Sequence, residues 1–146
     1  MKFISILFSL SLILSTMPAH SRDTALMLPI QDALKTSAFK NALDPSIKLY
    51  FGKQSHPRII KSVGTFPTNN KTNAFNKTDE AACQWVFLSG LLALQNRAKR
   101  EGGNAVVNIS SYYKKKTVNS KTKFECHAGA FIAGAALIGK VVKIAK

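Results

Sequence analysis

The chain is poor in cysteine, acidic residues and tryptophan, and no apolar run after its first residues is long enough to span a bilayer. Its two cysteines, Cys83 and Cys126, form no Cys-x-x-Cys spacing, and its histidines His20, His56 and His127 form no His-x-x-x-His spacing. A ready-made zinc or redox motif is therefore excluded. Seven acidic residues are scattered among 21 basic ones, which leaves no carboxylate pair for acid–base work. No Ser-His-Asp arrangement stands out either. Gly134 to Lys140 (GAALIGK) follows a phosphate-binding loop for seven positions, then places Val141 where a magnesium-holding Ser or Thr belongs. These absences argue against an enzyme, and no catalytic residue or cofactor is expected.

What is present begins at the start of the chain. Met1-Lys2 supplies a positive start, Phe3 to Ser15 is an apolar run, and Pro18 with Ala19-His20-Ser21 completes the three-part pattern of a secretory signal peptide. Residues 1–21 are expected to be removed, leaving 22–146 as a single domain. The apolar run falls short of the roughly 20 residues that span a bilayer. No cysteine lies near the junction, so no lipid anchor is expected on the new N-terminus. The expectation is a soluble protein that is periplasmic or secreted.

Lys2 is one of the 21 basic residues, so 20 remain against seven acids and the exported chain carries +13. Such a field favours polyanionic partners. Lys114, Lys115, Lys116, Lys121 and Lys123 crowd one segment, with Tyr112 and Tyr113 at its base. Clustered lysine gives salt-dependent attraction to phosphate or anionic head groups. Lys61, Lys71 and Lys77 would join this pad if the sheet order brings them near. Base-specific nucleic-acid recognition would need arginine or amide side chains on a groove-fitting element, and none is evident.

The periodicity predicts the order α-β-β-α-β-β, an α+β fold with an antiparallel four-stranded sheet, one long helix and a shorter N-terminal one. Residues 22–29 read as an extended lead-in, and Ile30 to Leu43 as a helix stopped by Asp44-Pro45. Ile47 to Phe51 and Arg58 to Thr65 read as a hairpin, and the asparagine-rich 67–77 as a loop. Its Asn-x-Thr triplets at Asn70 and Asn76, and the Asn-x-Ser at Asn108, are read as loop and strand residues without sugar. Thr78 to Glu101 is the long helix, with acids in its first turn, bases in its last and Gly102-Gly103 beyond. Cys83, Phe87, Gly90, Leu91, Leu94 and Ala98 form one apolar stripe. Trp85, Leu88 and Leu92 form a second, suited to the N-terminal helix or to another subunit. Ala105 to Tyr113 and Lys121 to Ala128 read as a second hairpin. The small-residue tail 129–146 fits helix or strand, with strand preferred for its β-branched end.

Cys83 sits on the long helix's apolar stripe, and Cys126 on the apolar face of an alternating strand. Both should point into one helix-on-sheet layer, and export supplies oxidising conditions, so a Cys83–Cys126 disulfide is expected. Metal binding is the competing chemistry, with His56 and His127 as its histidine ligands. Adjacent Cys126 and His127 face opposite ways on a strand, so they cannot share an ion without distortion.

The blocks KTNAFNK (71–77), ACQW (82–85), GGNAVVNI (102–109) and FECHAGA (124–130) resemble a family of small exported proteobacterial proteins of unknown function, often labelled "excinuclease ATPase subunit". The resemblance covers nearly the whole exported chain, while the incomplete nucleotide loop gives that label no support. More distantly, residues 81–109 resemble a small ring-forming domain described as heavy-metal-binding, and the outer-membrane lipoprotein that senses envelope stress for the Rcs phosphorelay. Those similarities imply a helix packed on an antiparallel sheet. The chain lacks the sensor's lipid-bearing and additional cysteines, so its signalling role does not carry over.

Three functions are therefore expected in order. The first is a non-catalytic envelope protein whose basic segment meets an anionic component or a protein partner. The second is a copper- or zinc-handling domain, and the third an oligomeric structural element built through Trp85, Leu88 and Leu92.

Overall fold

A computed structural model describes residues 21–146; the expected signal peptide, apart from Ser21, lies outside the described residues. The elements run β1 (Thr24–Pro29), α1 (Ile30–Lys35), α2 (Ser37–Ala42), β2 (Lys48–Phe51), β3 (Ile59–Asn73), α3 (Asp79–Arg100), β4 (Ala105–Ser111), β5 (Lys123–Ala128) and β6 (Ile132–Ile144). A 3-10 turn at Tyr113–Lys115 lies between β4 and β5.

The expected four-stranded antiparallel sheet is not what forms. Six strands build a mixed sheet curled into a half-barrel, and β6 is its axis. Along one edge, β6 pairs with β3 over nearly its whole length, from Asn73↔Ile132 to Ile59↔Ile144. Its other edge is shared. β4 takes the C-terminal half, and β5 takes the N-terminal end through His127↔Gly134 and Ala128↔Ala133. Beyond them, β2 adds parallel to β4 and β1 antiparallel to β5. Neither expected hairpin exists: β2 does not pair with β3, and β4 does not ladder with β5.

The physical reason lies in the tail. Ala133, Ala135, Leu137, Gly139 and Val141 alternate inward along β6, and all are buried. Gly139 has no side chain where α3 passes close above it. A Cβ on Gly139 would stand 2.6 Å from Val106 Cγ1 and 3.3 Å from Leu94 Cδ1. Composition alone left that segment between helix and strand; the pairing partners on both edges decide it. Gly134–Lys140 lie wholly within this strand, so their amides alternate between neighbours instead of converging on a phosphate.

The long helix forms as expected. The Thr78 hydroxyl accepts from Ala81 N at 3.1 Å, capping α3, and Cys83, Phe87, Gly90, Leu91, Leu94 and Ala98 are all buried against the sheet. Cys83 and Cys126 are buried and joined, with Cα atoms 5.8 Å apart. Phe87 anchors an aromatic cluster, stacked on Phe124 at 3.9 Å and tilted against Phe39 and Phe51.

Three further expectations are corrected. The N-terminal helix is two short helices, because the Thr36 hydroxyl accepts from Phe39 N and caps a new start. The expected loop at 67–77 is strand as far as Asn73, since β6 offers its edge that far. In β4, Asn108 adopts φ 52° at a bulge. Regular alternation would put Val107 and Ile109 on one face, but the bulge sends them into separate clusters.

Candidate functional site

The sheet has a second, partly open face, opposite α3. There the odd-numbered residues of β3 (Pro67, Asn69, Lys71 and Asn73) are exposed and alternate with half-buried Thr68, Asn70 and Thr72. Register puts Pro67, Asn69, Lys71 and Asn73 beside Ile138, Ala136, Gly134 and Ile132 of β6.

Over this face hangs the segment after β4. Tyr112 N donates to Ala136 O at 2.8 Å, which ties the segment down just before it turns. Lys114 and Lys115 then take φ 49° and 62°, the left-handed region that disfavours any side chain with a Cβ. Neither position is Gly, Asn or Asp. The strained turn is closed by Lys115 N on Tyr112 O and Lys116 N on Tyr113 O. Its effect is to set Lys114 and Lys115 on the rim of a depression of about 480 Å³, whose other wall carries Lys71, Asn69 and Pro67. Among the described residues no acidic side chain lines it.

The turn is braced from below by a cluster of titratable groups. His127 stacks on Tyr113 with centroids 3.4 Å apart. Its Nδ1 lies 3.0 Å from Asp23 Oδ1 and its Nε2 2.7 Å from Glu125 Oε1. The Tyr113 hydroxyl donates to Asp23 Oδ2 at 3.4 Å. Each ring nitrogen thus already faces a carboxylate, on opposite sides of the imidazole. His127 acts here as a strut between β1, β5 and the lysine turn.

At the tip where β3 runs into α3 and β5 turns into β6, three large apolar side chains stand in solvent. Phe75, Phe131 and Ile132 are 56%, 67% and 56% exposed. The two rings stack at 5.8 Å and 17°. Arg22 crosses behind this tip: it makes a bidentate pair with Asp79 at 2.8 Å and donates to Gly129 O at 2.9 Å. The Asp79 carboxylate raises the Arg22 pKa, and Arg22 lowers that of Asp79, through the same hydrogen bonds.

The structure groups only some of the residues singled out from sequence. Lys114 and Lys115 meet Lys71 around one depression. Lys116 is exposed beyond the turn, whereas Lys121 lies in the bend before β5, its carbonyl accepting from Gln54, and Lys123 begins β5 and pairs with Pro29. Lys61 pairs with Lys143 at the far end of β3. His56 lies in the β2–β3 connection, beside Tyr50 and two residues before Arg58, whose carbonyl accepts from Ala145 beyond β6. His127 pairs with Gly134, near the opposite end of β6. The two histidines therefore do not meet, and no group of three or more His, Cys, Asp or Glu side chains is placed to hold a metal ion among the described residues. In the second helical stripe, Leu88 and Leu92 join the main core while Trp85 is 52% exposed. Among the described residues no helix is long and apolar enough to cross a membrane.

Sequence reasoning missed the strained lysine pair and the clamp around His127, because both depend on contacts across strands. It also passed over Phe75 and Phe131 as a pair, since they meet only when the β3–α3 and β5–β6 turns are brought together. Comparison with protein-family models, curated proteins and solved structures finds no match for this chain.

Proposed function

We propose that this is an exported, non-catalytic binding protein of the cell envelope that engages an anionic component through Lys71, Lys114 and Lys115. The observation that carries the reading is the left-handed backbone at two consecutive lysines. Glycine would relieve that conformation, and each such residue costs about 1–3 kcal/mol when retained. The turn gathers its lysines with Lys71 around an acid-free depression, against the mutual repulsion of a strongly basic chain. An anion seated between them offsets that repulsion. Removal of residues 1–21 on export is part of this proposal, and the resemblance to small exported proteobacterial proteins agrees with it.

Each lysine near an anionic surface contributes about 1 kcal/mol, screened by salt. The triple reversal K71E/K114E/K115E is therefore expected to weaken retention on anionic vesicles or polyphosphate at least about 100-fold. Wild-type retention should fall steeply as salt is raised. Retention unchanged by the reversal overturns the reading.

A further inference from the structure

We propose that the Phe75–Phe131–Ile132 tip inserts into the head-group region of an anionic bilayer, with Lys71 and Lys77 as its basic collar. The inference rests on the binding reading above and names the partner as a lipid surface.

A Phe pair left more than half in water needs a reason, and here the pair is held there. Ala74 N donates to Phe131 O at 2.8 Å, joining the two turns that carry the rings. Phe75 N donates to Asn73 Oδ1 at 2.7 Å, and Gly129 N to Ile132 O at 2.8 Å. Arg22 then fastens Gly129 to the start of α3 through Asp79. A Cβ on Gly129 would stand 2.9 Å from Arg22 O and 3.1 Å from Ile132 O, so the turn closes tightly enough to need glycine. These bonds fix the backbone of the two turns that carry the rings.

Phe75, Phe131 and Ile132 share one shallow, open and mainly apolar surface with Lys71, Thr72 and Asn73, which suits contact with a fluid surface. Around it, Lys77 Nζ donates to Asn73 O at 2.9 Å, and Lys71 lines the same apolar surface as Phe75, Phe131 and Ile132. Apolar side chains immersed at the acyl boundary, ringed by lysines at phosphate level, are the elements of interfacial membrane binding. Asp79 and Glu80 occupy the first turn of α3 behind the tip, and Asp79 is paired with Arg22. Lys114 and Lys115 lie further along the same face, with Lys71 lining both the tip and their depression. One approach to a negatively charged plane would engage both.

The test is cosedimentation of the protein, as processed by the exporting cell, with phosphatidylglycerol-containing vesicles, pure phosphatidylcholine vesicles and immobilised polyphosphate. F75S/F131S is expected to lower partition onto the anionic vesicles at least about tenfold per ring, from the apolar area removed, while leaving retention on polyphosphate and Tm unchanged. F131W in a W85F background should show a blue-shifted emission, quenched by brominated lipid, on anionic vesicles only. Vesicle binding unaffected by F75S/F131S, with F131W unshifted, overturns the insertion and leaves the basic-face reading standing. Retention on polyphosphate with none on vesicles does the same. Loss of wild-type retention on all three surfaces removes both.

Discussion

The stacked pair Phe87–Phe124 and the stacked pair Phe75–Phe131 are the same chemistry in opposite surroundings. Both members of the first are 1% exposed; those of the second are 56% and 67% exposed. The first pair lies where α3 meets the half-barrel, and its rings displace water from the whole core. The second is carried on turns closed by hydrogen bonds that do not involve its rings. Stacking geometry alone therefore does not distinguish a ring that holds the fold from one left in solvent. Burial does.

The sharpest break of this comparison is Phe87→Ala against Phe75→Ser. Removing the Phe87 ring leaves a cavity among Phe39, Phe51 and Phe124 and is expected to cost about 3–5 kcal/mol. For a domain of this size the midpoint should fall by roughly 12–20 °C. Phe75→Ser should stay within about 0.5 kcal/mol, as surface substitutions do. Urea denaturation of the two variants decides it, and equal losses would place the tip inside the folding unit.

Next in size is the covalent tie. Cys83 and Cys126 are 43 residues apart, and closing such a loop stabilises by about 4 kcal/mol on the chain-entropy model. C83A/C126A should lose most of that in urea denaturation and show the same vesicle partition below its midpoint as the wild type. Partition lost together with the disulfide would mean that the tip depends on the core. The pair was legible in the sequence because a helical stripe and a strand alternation each placed one cysteine inward.

The rest of the architecture shows where such reading stops. α3 was legible because Thr78, the acids after it and Gly102 mark its ends locally. β6 was not, because glycine and alanine permit both helix and strand, and the choice is made by β3, β4 and β5 on its two edges. The hairpins were inferred from neighbours in sequence, whereas β2 finds its partner across α3 and β4 binds β6. Gln95 was equally hidden. A buried polar residue in the middle of α3, it accepts from Asp44 N and donates to the carbonyls of Asp44 and Ile47, all at 2.9 Å. It thereby satisfies a loop that has no strand to pair with. Of the candidate site, the lysines were visible as composition, but the strained turn and Lys71's place beside it were not.

The smallest effect separates the two ends of α3. Near the tip, Arg22 lowers the Asp79 pKa; at the other end Lys99, then Ser46, lowers that of Asp44 further below its ordinary value of 3.8. A carboxylate with a lowered folded pKa contributes stability above its unfolded value, and that contribution is lost as pH falls through the folded one. D44N and D79N should therefore be slightly less stable than the wild type at pH 7, with the differences closing as pH drops below 3.8. Both pairs are exposed, so raised salt should shrink both differences. Amide exchange tells the ends apart. In D79N, Arg22 loses its hold on α3 and the Ala74 amide, bonded to Phe131 O, should exchange faster. In D44N it should not, because Lys99 and Asp44 brace only the end of the helix remote from the exposed rings.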